Sequence, residues 1–224
     1  MPVQICIKIK PMSTSLRKLH YYLIADASGS MADQIDEVRQ ALNTQLRKLR
    51  SLATTHDTTV HFSLLTFDSE MRWRYRNCPL NEVQPIMRDD YDTGGATALF
   101  DAIAAGLKEA SKHVFPHFNA SCDSVQFSVY SDGEENSSRH TKVEQLKELL
   151  DHYQRLPGWT IEYFGCDPES FDQLRGAGFH VNAMHAYDAH HRYRVFEEDM
   201  QMSLNAHFIK PSKDFLKKND KRKL

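Results

Sequence analysis

No two cysteines in this chain stand close enough to read as a metal-ligand pair or a redox motif. The four that it has, Cys6, Cys78, Cys122 and Cys166, are scattered and form no CxxC. Zinc sites are usually assembled from closely spaced ligand pairs, so a structural zinc is not expected, and the thiols read as reduced and partly buried. Also missing is any apolar run long enough to span a bilayer, and residues 1–12 lack the long apolar stretch of a signal peptide. These absences predict cytoplasmic residence. An excess of charge of one sign is lacking as well: 28 Lys and Arg stand against 30 Asp and Glu, for a formal net charge of -2. A strongly basic nucleic-acid-binding face is therefore not expected on the body of the chain.

What is present suits one globular α/β domain. The 224 residues are 41% hydrophobic and 26% charged, ordinary values for a folded chain with a substantial core. Val3, Ile5, Ile7 and Ile9 alternate with Gln4, Cys6, Lys8 and Lys10, which predicts an N-terminal strand. Residues 19–25 form a nearly continuous apolar run, as in a central strand covered on both faces. From Ala32 the spacing of Ile35, Val38, Leu42, Leu46 and Leu49 marks an amphipathic helix. Alternation returns at Val60, Phe62 and Leu64, then at Met71, Trp73 and Tyr75, with a hairpin turn expected at Asp68-Ser69-Glu70.

Further helices are predicted around Leu99, Ile103 and Leu107 and around Val143, Leu146 and Leu150. Further strands are predicted at Val125, Phe127 and Val129, at residues 161–164 and at residues 179–181, with a last helix over residues 193–204. Strands alternating with helices imply a doubly wound, mainly parallel sheet of about six strands, in which the third is antiparallel and lies at an edge. Residues 1–15 read as an N-terminal extension, 16–208 as the domain, and 209–224 as a basic tail.

Chemistry concentrates in three polar loops. Asp26-Ala27-Ser28-Gly29-Ser30 follows a buried strand and precedes a helix, at the carboxyl edge where ligands of doubly wound sheets sit. Thr97, in Gly94-Gly95-Ala96-Thr97, and Asp132, in Ser131-Asp132-Gly133, lie on later loops able to converge there. These are hard oxygen donors with little negative charge, a set suited to magnesium or manganese rather than zinc.

At these residues the chain resembles the von Willebrand factor type A (VWA) domains, which share a doubly wound α/β fold. Their metal-ion-dependent adhesion site (MIDAS) consists of DxSxS, a later threonine and a later aspartate. Asp26, Ser28, Ser30, Thr97 and Asp132 fill all five positions, and the resemblance covers roughly residues 17–204. It implies that Ser28, Ser30 and, in the ligand-bound state, Thr97 contact Mg2+ or Mn2+ directly, with Asp26 and Asp132 acting largely through water. It further implies an open coordination position for a Glu or Asp of a partner protein, which in some members is coupled to a shift of the last helix and in many is not. Intracellular bacterial members of this kind often serve as adaptors, which sets the functional expectation: metal-dependent protein recognition rather than catalysis.

Other readings fit the residues less well. A metal-dependent phosphatase of haloacid-dehalogenase type would use Asp26 as nucleophile, but its acid/base carboxylate belongs two residues on, where Ser28 stands. No Gly-x-Ser-x-Gly elbow supports a serine hydrolase. His180, His185, His190 and His191 match no metal motif and are expected at the surface. Arg72, Arg74 and Arg76 either guard an edge strand against unwanted pairing or steer an acidic partner to the ion.

Overall fold

The computed structural model describes residues 17–186 together with 207 and 208. Six strands make one sheet in the order β3-β2-β1-β4-β5-β6. They are β1 Arg17–Asp26, β2 Thr58–Phe67, β3 Met71–Pro79, β4 Asp123–Ser131, β5 Trp159–Gly165 and β6 Met184–Ala186. Every neighbouring pair is parallel except β2 with β3, whose antiparallel hairpin puts β3 at one edge. The helices are α1 Ile35–Thr55, α2 Leu99–Val114, α3 Val143–Tyr153 and α4 Pro168–Gly176. This is the mainly parallel, six-stranded α/β fold that the alternation of patterns implied.

Two cores, one on each face of the sheet, explain why the central strands read as apolar runs. Leu19, Tyr21, Leu23 and Ala25 of β1 face α1 through Val38, Leu42, Leu46 and Leu49. Tyr22 and Ile24 face the other way, against Leu99, Ile103 and Leu107 of α2 and Leu146 and Leu150 of α3. A strand buried on both faces has no polar side to present, so alternation disappears from its sequence. All nine residues of β4 are likewise buried. Gly106 lets α2 settle close to the sheet: a Cβ there would lie 2.7 Å from Ile24 Cδ1 and 2.8 Å from Phe127 Cζ.

Two elements depart from expectation. Residues 179–181 form no strand; Val181–Ala183 is a 3-10 turn and the last strand is Met184–Ala186. Phe179 is 3% exposed, but its amide bonds to Leu174 O, and the His180 amide bonds to Gln154 Oε1. Apolar burial there comes with a loop whose backbone is satisfied by its neighbours, not by a ladder. The helix α4 was not anticipated, although its start is marked: Asp167 accepts from the Ser170 amide at 2.7 Å, and Pro168 occupies the first turn. The helix expected from Ala32 begins instead with a 3-10 segment, Gly29–Gln34, and becomes α-helical at Ile35. The strand expected at residues 3–9, the helix over 193–204 and the tail from 209 lie outside the described residues.

Candidate metal centre

The strand β1 ends at Asp26 between β2 and β4, so its last side chain emerges at the centre of the sheet's carboxyl edge. Asp26 is fully buried. Its Oδ1 accepts from the Ser28 amide at 2.7 Å, its Oδ2 accepts from the Ser131 hydroxyl, and its carbonyl accepts from the Tyr91 hydroxyl. The turn this creates directs the next two serines to one side. Ser28 Oγ lies 3.0 Å from Ser30 Oγ, and Ser30 Oγ donates to Asp132 Oδ1 at 2.7 Å. Two of the three loops are therefore in direct side-chain contact across 102 residues of sequence.

The loop bearing Thr97 is fastened to both of the others. Its Gly94 amide donates to Ala27 O at 2.9 Å, and Gly95 O accepts from the Gly29 amide at 3.1 Å. From the β2–β3 turn, Ser69 Oγ accepts from the Ala96 amide at 3.0 Å and Asp68 O from the Ala98 amide at 3.0 Å. Gly95 has φ +65, and a Cβ on it would approach Ser69 Oγ to 2.9 Å, so both backbone and space require glycine. Asn136 grips Thr97 from the Asp132 loop: its Oδ1 accepts from the Thr97 amide at 2.8 Å, and its amide donates to Thr97 O at 3.1 Å.

Thr97 itself is 4% exposed, yet its hydroxyl has no hydrogen-bond partner among the described residues. A Cβ placed on Gly133 would lie 3.4 Å from Thr97 Oγ1 and 4.0 Å from Ser30 Oγ. The missing side chain of Gly133 thus leaves space bordered by hydroxyls from two of the loops.

Glu135, Asp101 and Ser131 were not singled out in the sequence, although Glu135 and Ser131 lie in the same hexapeptide as Asp132. Glu135 accepts from the Phe100 amide at 2.7 Å and from the Ser137 and Ser138 amides at 2.9 and 2.6 Å, tying the Asp132 loop to the start of α2. Asp101 completes the attachment by accepting from the amides of Arg139 at 2.8 Å and Thr141 at 2.6 Å. Burial alone would raise the Asp101 carboxyl, but hydrogen bonds from Arg139, Thr141 and His140 together hold it below its usual range.

The electrostatics single out Asp26. Burial, chiefly, raises its carboxyl from 3.8 to about 6; hydrogen bonds from Ser131 and Ser28 work against the rise, and the Asp132 charge adds to it. Among the described residues, no lysine or arginine forms an ion pair with it. A buried carboxylate with only neutral donors around it is costly unless a cation comes near. The donor set is all oxygen, three hydroxyls and two carboxylates, as hard divalent ions prefer. Among the described residues no cluster of three or more His, Cys, Asp and Glu competes for such an ion. The residues present fit a divalent cation.

The arginine ridge is occupied by the protein's own acids. Arg72 pairs with Asp68 at 3.0 Å, Arg74 with Asp90 at 2.9 Å, and Arg76 lies 3.9 Å from Glu109 and stacks over Trp73. That suits the edge-guarding reading, since β3 is an edge strand, and removes the basis for steering an acidic partner. Of the four late histidines, His180 is exposed, whereas His185 is half-buried, stacked on Phe164 and 3.5 Å from Glu162. His190 and His191 lie outside the described residues. The apolar cavity beside α4, about 350 Å3 and lined by Cys166, Phe171 and Met184 among others, takes no wall from the five candidate residues.

With this geometry in hand, the chain can be set beside known proteins. No protein-family profile matches it, and no curated protein does. Among solved structures it matches proximal thread matrix protein 1 from the mussel byssus, in a form described as having a zinc-occupied MIDAS motif, with a TM-score of 0.54 at 17% identity. The fold is VWA-like. The VWA-like match covers 82% of this chain and 45% of the mussel protein. The PilB minor pilin of Streptococcus sanguinis matches with a TM-score of 0.61 at 9% identity, over 87% of this chain and 62% of that one. The pilus adhesin SpaC of Lactobacillus rhamnosus GG matches with a TM-score of 0.60 at 11% identity, over 87% of this chain and 30% of the adhesin. This chain therefore spans less than two thirds of each of these proteins. Among the described residues, no helix is long and apolar enough to cross a membrane.

Proposed function

We propose that this VWA-like chain is a protein-recognition module that binds Mg2+ or Mn2+ through Asp26, Ser28, Ser30, Thr97 and Asp132 and offers the ion to an acidic residue of a partner. The observation that carries the reading is the Thr97 hydroxyl, without a partner among the described residues, beside the Ser28–Ser30–Asp132 chain of contacts. Ser28, Ser30 and Thr97 would hold the ion by their hydroxyls, and Asp26 and Asp132 would act from just behind them. When bound, the ion supplies a positive centre for a carboxylate. Because only two of the five candidate ligands are carboxylates, much of its charge stays uncompensated, and an incoming acid gains more than at a site crowded with acidic ligands. The mussel structure with its zinc-occupied MIDAS supports the same reading by fold. A cytoplasmic adaptor of the intracellular bacterial kind is part of the proposal, resting on the sequence.

The phosphatase alternative fares worse. Its nucleophile would be Asp26, which is fully buried with both oxygens engaged by Ser28 and Ser131.

Thr97→Val tests the assignment, because it removes a hydroxyl that makes no described hydrogen bond while keeping the shape. Stability in chelator should change by less than about 0.5 kcal/mol, a typical bound for substitutions that break no specific interaction. Mg2+ or Mn2+ affinity by calorimetry should fall about tenfold or more, ~1.4 kcal/mol. Unchanged metal affinity would remove Thr97 from the site, and no metal binding by the native chain would end the proposal.

A further inference from the structure

We infer that the acidic residue this site accepts is presented from a cationic stretch of the partner, a Glu or Asp flanked by lysine or arginine. The inference rests on the metal reading above and adds to it the chemistry of the partner around the carboxylate. It starts from what surrounds the hydroxyl cluster. On one flank, Glu134 directly follows Gly133, accepts from Gln173 Nε2 at 3.4 Å and stands beside Glu169 and Asp167. Asp167 is engaged as the cap of α4, but Glu134 and Glu169 make no ion pair with a described residue. On the other flank a polar depression of about 490 Å3 opens beside the DxSxS turn, bounded by Ala32, Ile35, Arg88, Asp89, Asp92 and Thr93. Asp89 and Asp92 are exposed on its wall, and Asp33 is exposed on the turn itself.

Among the described residues, the basic groups nearby offset this only in part. Arg72 is paired with Asp68 and Glu70. Arg88 stands among the aspartates of the depression, and Arg139 and Lys142 lie at the α3 end of their loop. A lone carboxylate approaching the ion would meet like charge on both sides. One carried between cationic side chains would meet opposite charge on both, and electrostatic complementarity of this kind sets partner choice and encounter rate. The unpartnered Thr97 hydroxyl fixes where the carboxylate is held, and the two acidic flanks fix what must accompany it.

Two synthetic pentapeptides test this, each with one central glutamate, flanked on both sides by two lysines in one and by two serines in the other. With the native chain in Mn2+ at about 50 mM NaCl, the lysine-flanked peptide should bind at least about tenfold more tightly. The preference should shrink to about threefold or less in Glu134→Gln/Glu169→Gln, and in about 0.5 M NaCl, where the screening length falls to a few ångströms. Replacing the central glutamate by glutamine, or adding chelator, should abolish binding of both peptides. Equal metal-dependent affinity for the two peptides, a preference for the serine peptide, or no binding of either by the Mn2+-loaded chain overturns the inference and leaves the metal site standing. Binding of the lysine peptide that survives both chelator and loss of its glutamate overturns the metal reading, and the inference with it.

Discussion

Replacing Asp26 by asparagine should make the metal-free protein more stable and the metal-treated protein unresponsive. The side chain is fully buried, and its carboxyl is raised from 3.8 to about 6, mainly by desolvation. A raised carboxyl favours the folded state only while protonated. That contribution is complete below the unfolded value, falls as pH rises through the folded value, and is absent at pH 8. Roughly two pKa units correspond to about 3 kcal/mol, an upper bound on what ionised Asp26 costs the metal-free fold. Asparagine carries no charge and can keep the geometry. Its Oδ1 can accept from the Ser28 amide as Asp26 Oδ1 does at 2.7 Å, and the Ser131 hydroxyl can turn to Gly133 O, 3.2 Å away, to receive the new amide donor.

Urea unfolding at pH 8 in chelator should therefore place Asp26→Asn above the native protein by about 1–3 kcal/mol, with the difference vanishing near pH 4. Adding Mg2+ at about a hundred times its dissociation constant should stabilise the native protein by about 2.7 kcal/mol and the variant not at all. A variant less stable than the native chain in chelator would show that Asp26 serves the fold as an acceptor rather than burdening it. Equal responses to Mg2+ would show that the ion sits elsewhere.

Asp101→Ala removes the acceptor for the Arg139, His140 and Thr141 amides and should cost about 2–3 kcal/mol, the range for hydrogen bonds to a charged group, with faster hydrogen exchange at residues 132–141. Because its carboxyl is held low, this attachment is present above the unfolded value and is lost as pH falls through the folded one; a loss under about 0.5 kcal/mol at pH 7 would refute the role. His20, buried and held neutral, has its pKa lowered from 6.5 to about 4, chiefly by burial, with the stacked His61 and Lys18 adding to the effect and the Asn77 hydrogen bond opposing it. Stability from keeping His20 neutral is complete above pH 6.5 and is lost as pH falls toward 4, up to about 3 kcal/mol. Asp26 moves the opposite way over part of that window, so the check is the difference between native and His20→Gln unfolding from pH 7 to 4, and parallel curves would refute it.

The alternation of helical and strand spacing was enough to give the sheet, its antiparallel edge hairpin and three of the four described helices, because each depends on which side chains face a core. Where burial and backbone pairing part company, the pattern misled. Phe179 is as buried as a strand residue, but its neighbours' carbonyl and amide groups satisfy a loop. The short α4 has a clear start in Asp167-Pro168 but buries only Ser170 and Leu174, too few for a periodicity to stand out. The five candidate oxygen-bearing residues stand out in the sequence as a motif. The residues that hold them in place do not, because Asn136, Glu135 and Asp101 act through backbone amides of loops whose proximity only the fold supplies.

That supporting set bears on how such a site can exist in a chain of near-neutral charge. A buried aspartate, once ionised, opposes folding, and it would not keep its place if the loops were free to rearrange around it. Here the loops are not free. Asn136 holds Thr97 by both its amide and its carbonyl, the Gly94 and Gly29 backbones lock the threonine loop to the DxSxS turn, and Glu135 and Asp101 fasten the Asp132 loop to α2. Each of these bonds is made by the frame and none by the candidate ligands' own oxygens. The side-chain oxygens are thereby held close together, and a cation entering among them meets groups already placed, at little further cost in ordering. The stability that Asp26→Asn should release in chelator is on this view a cost that a bound ion offsets, whereas the size of the Mg2+ response is set by its concentration relative to its dissociation constant.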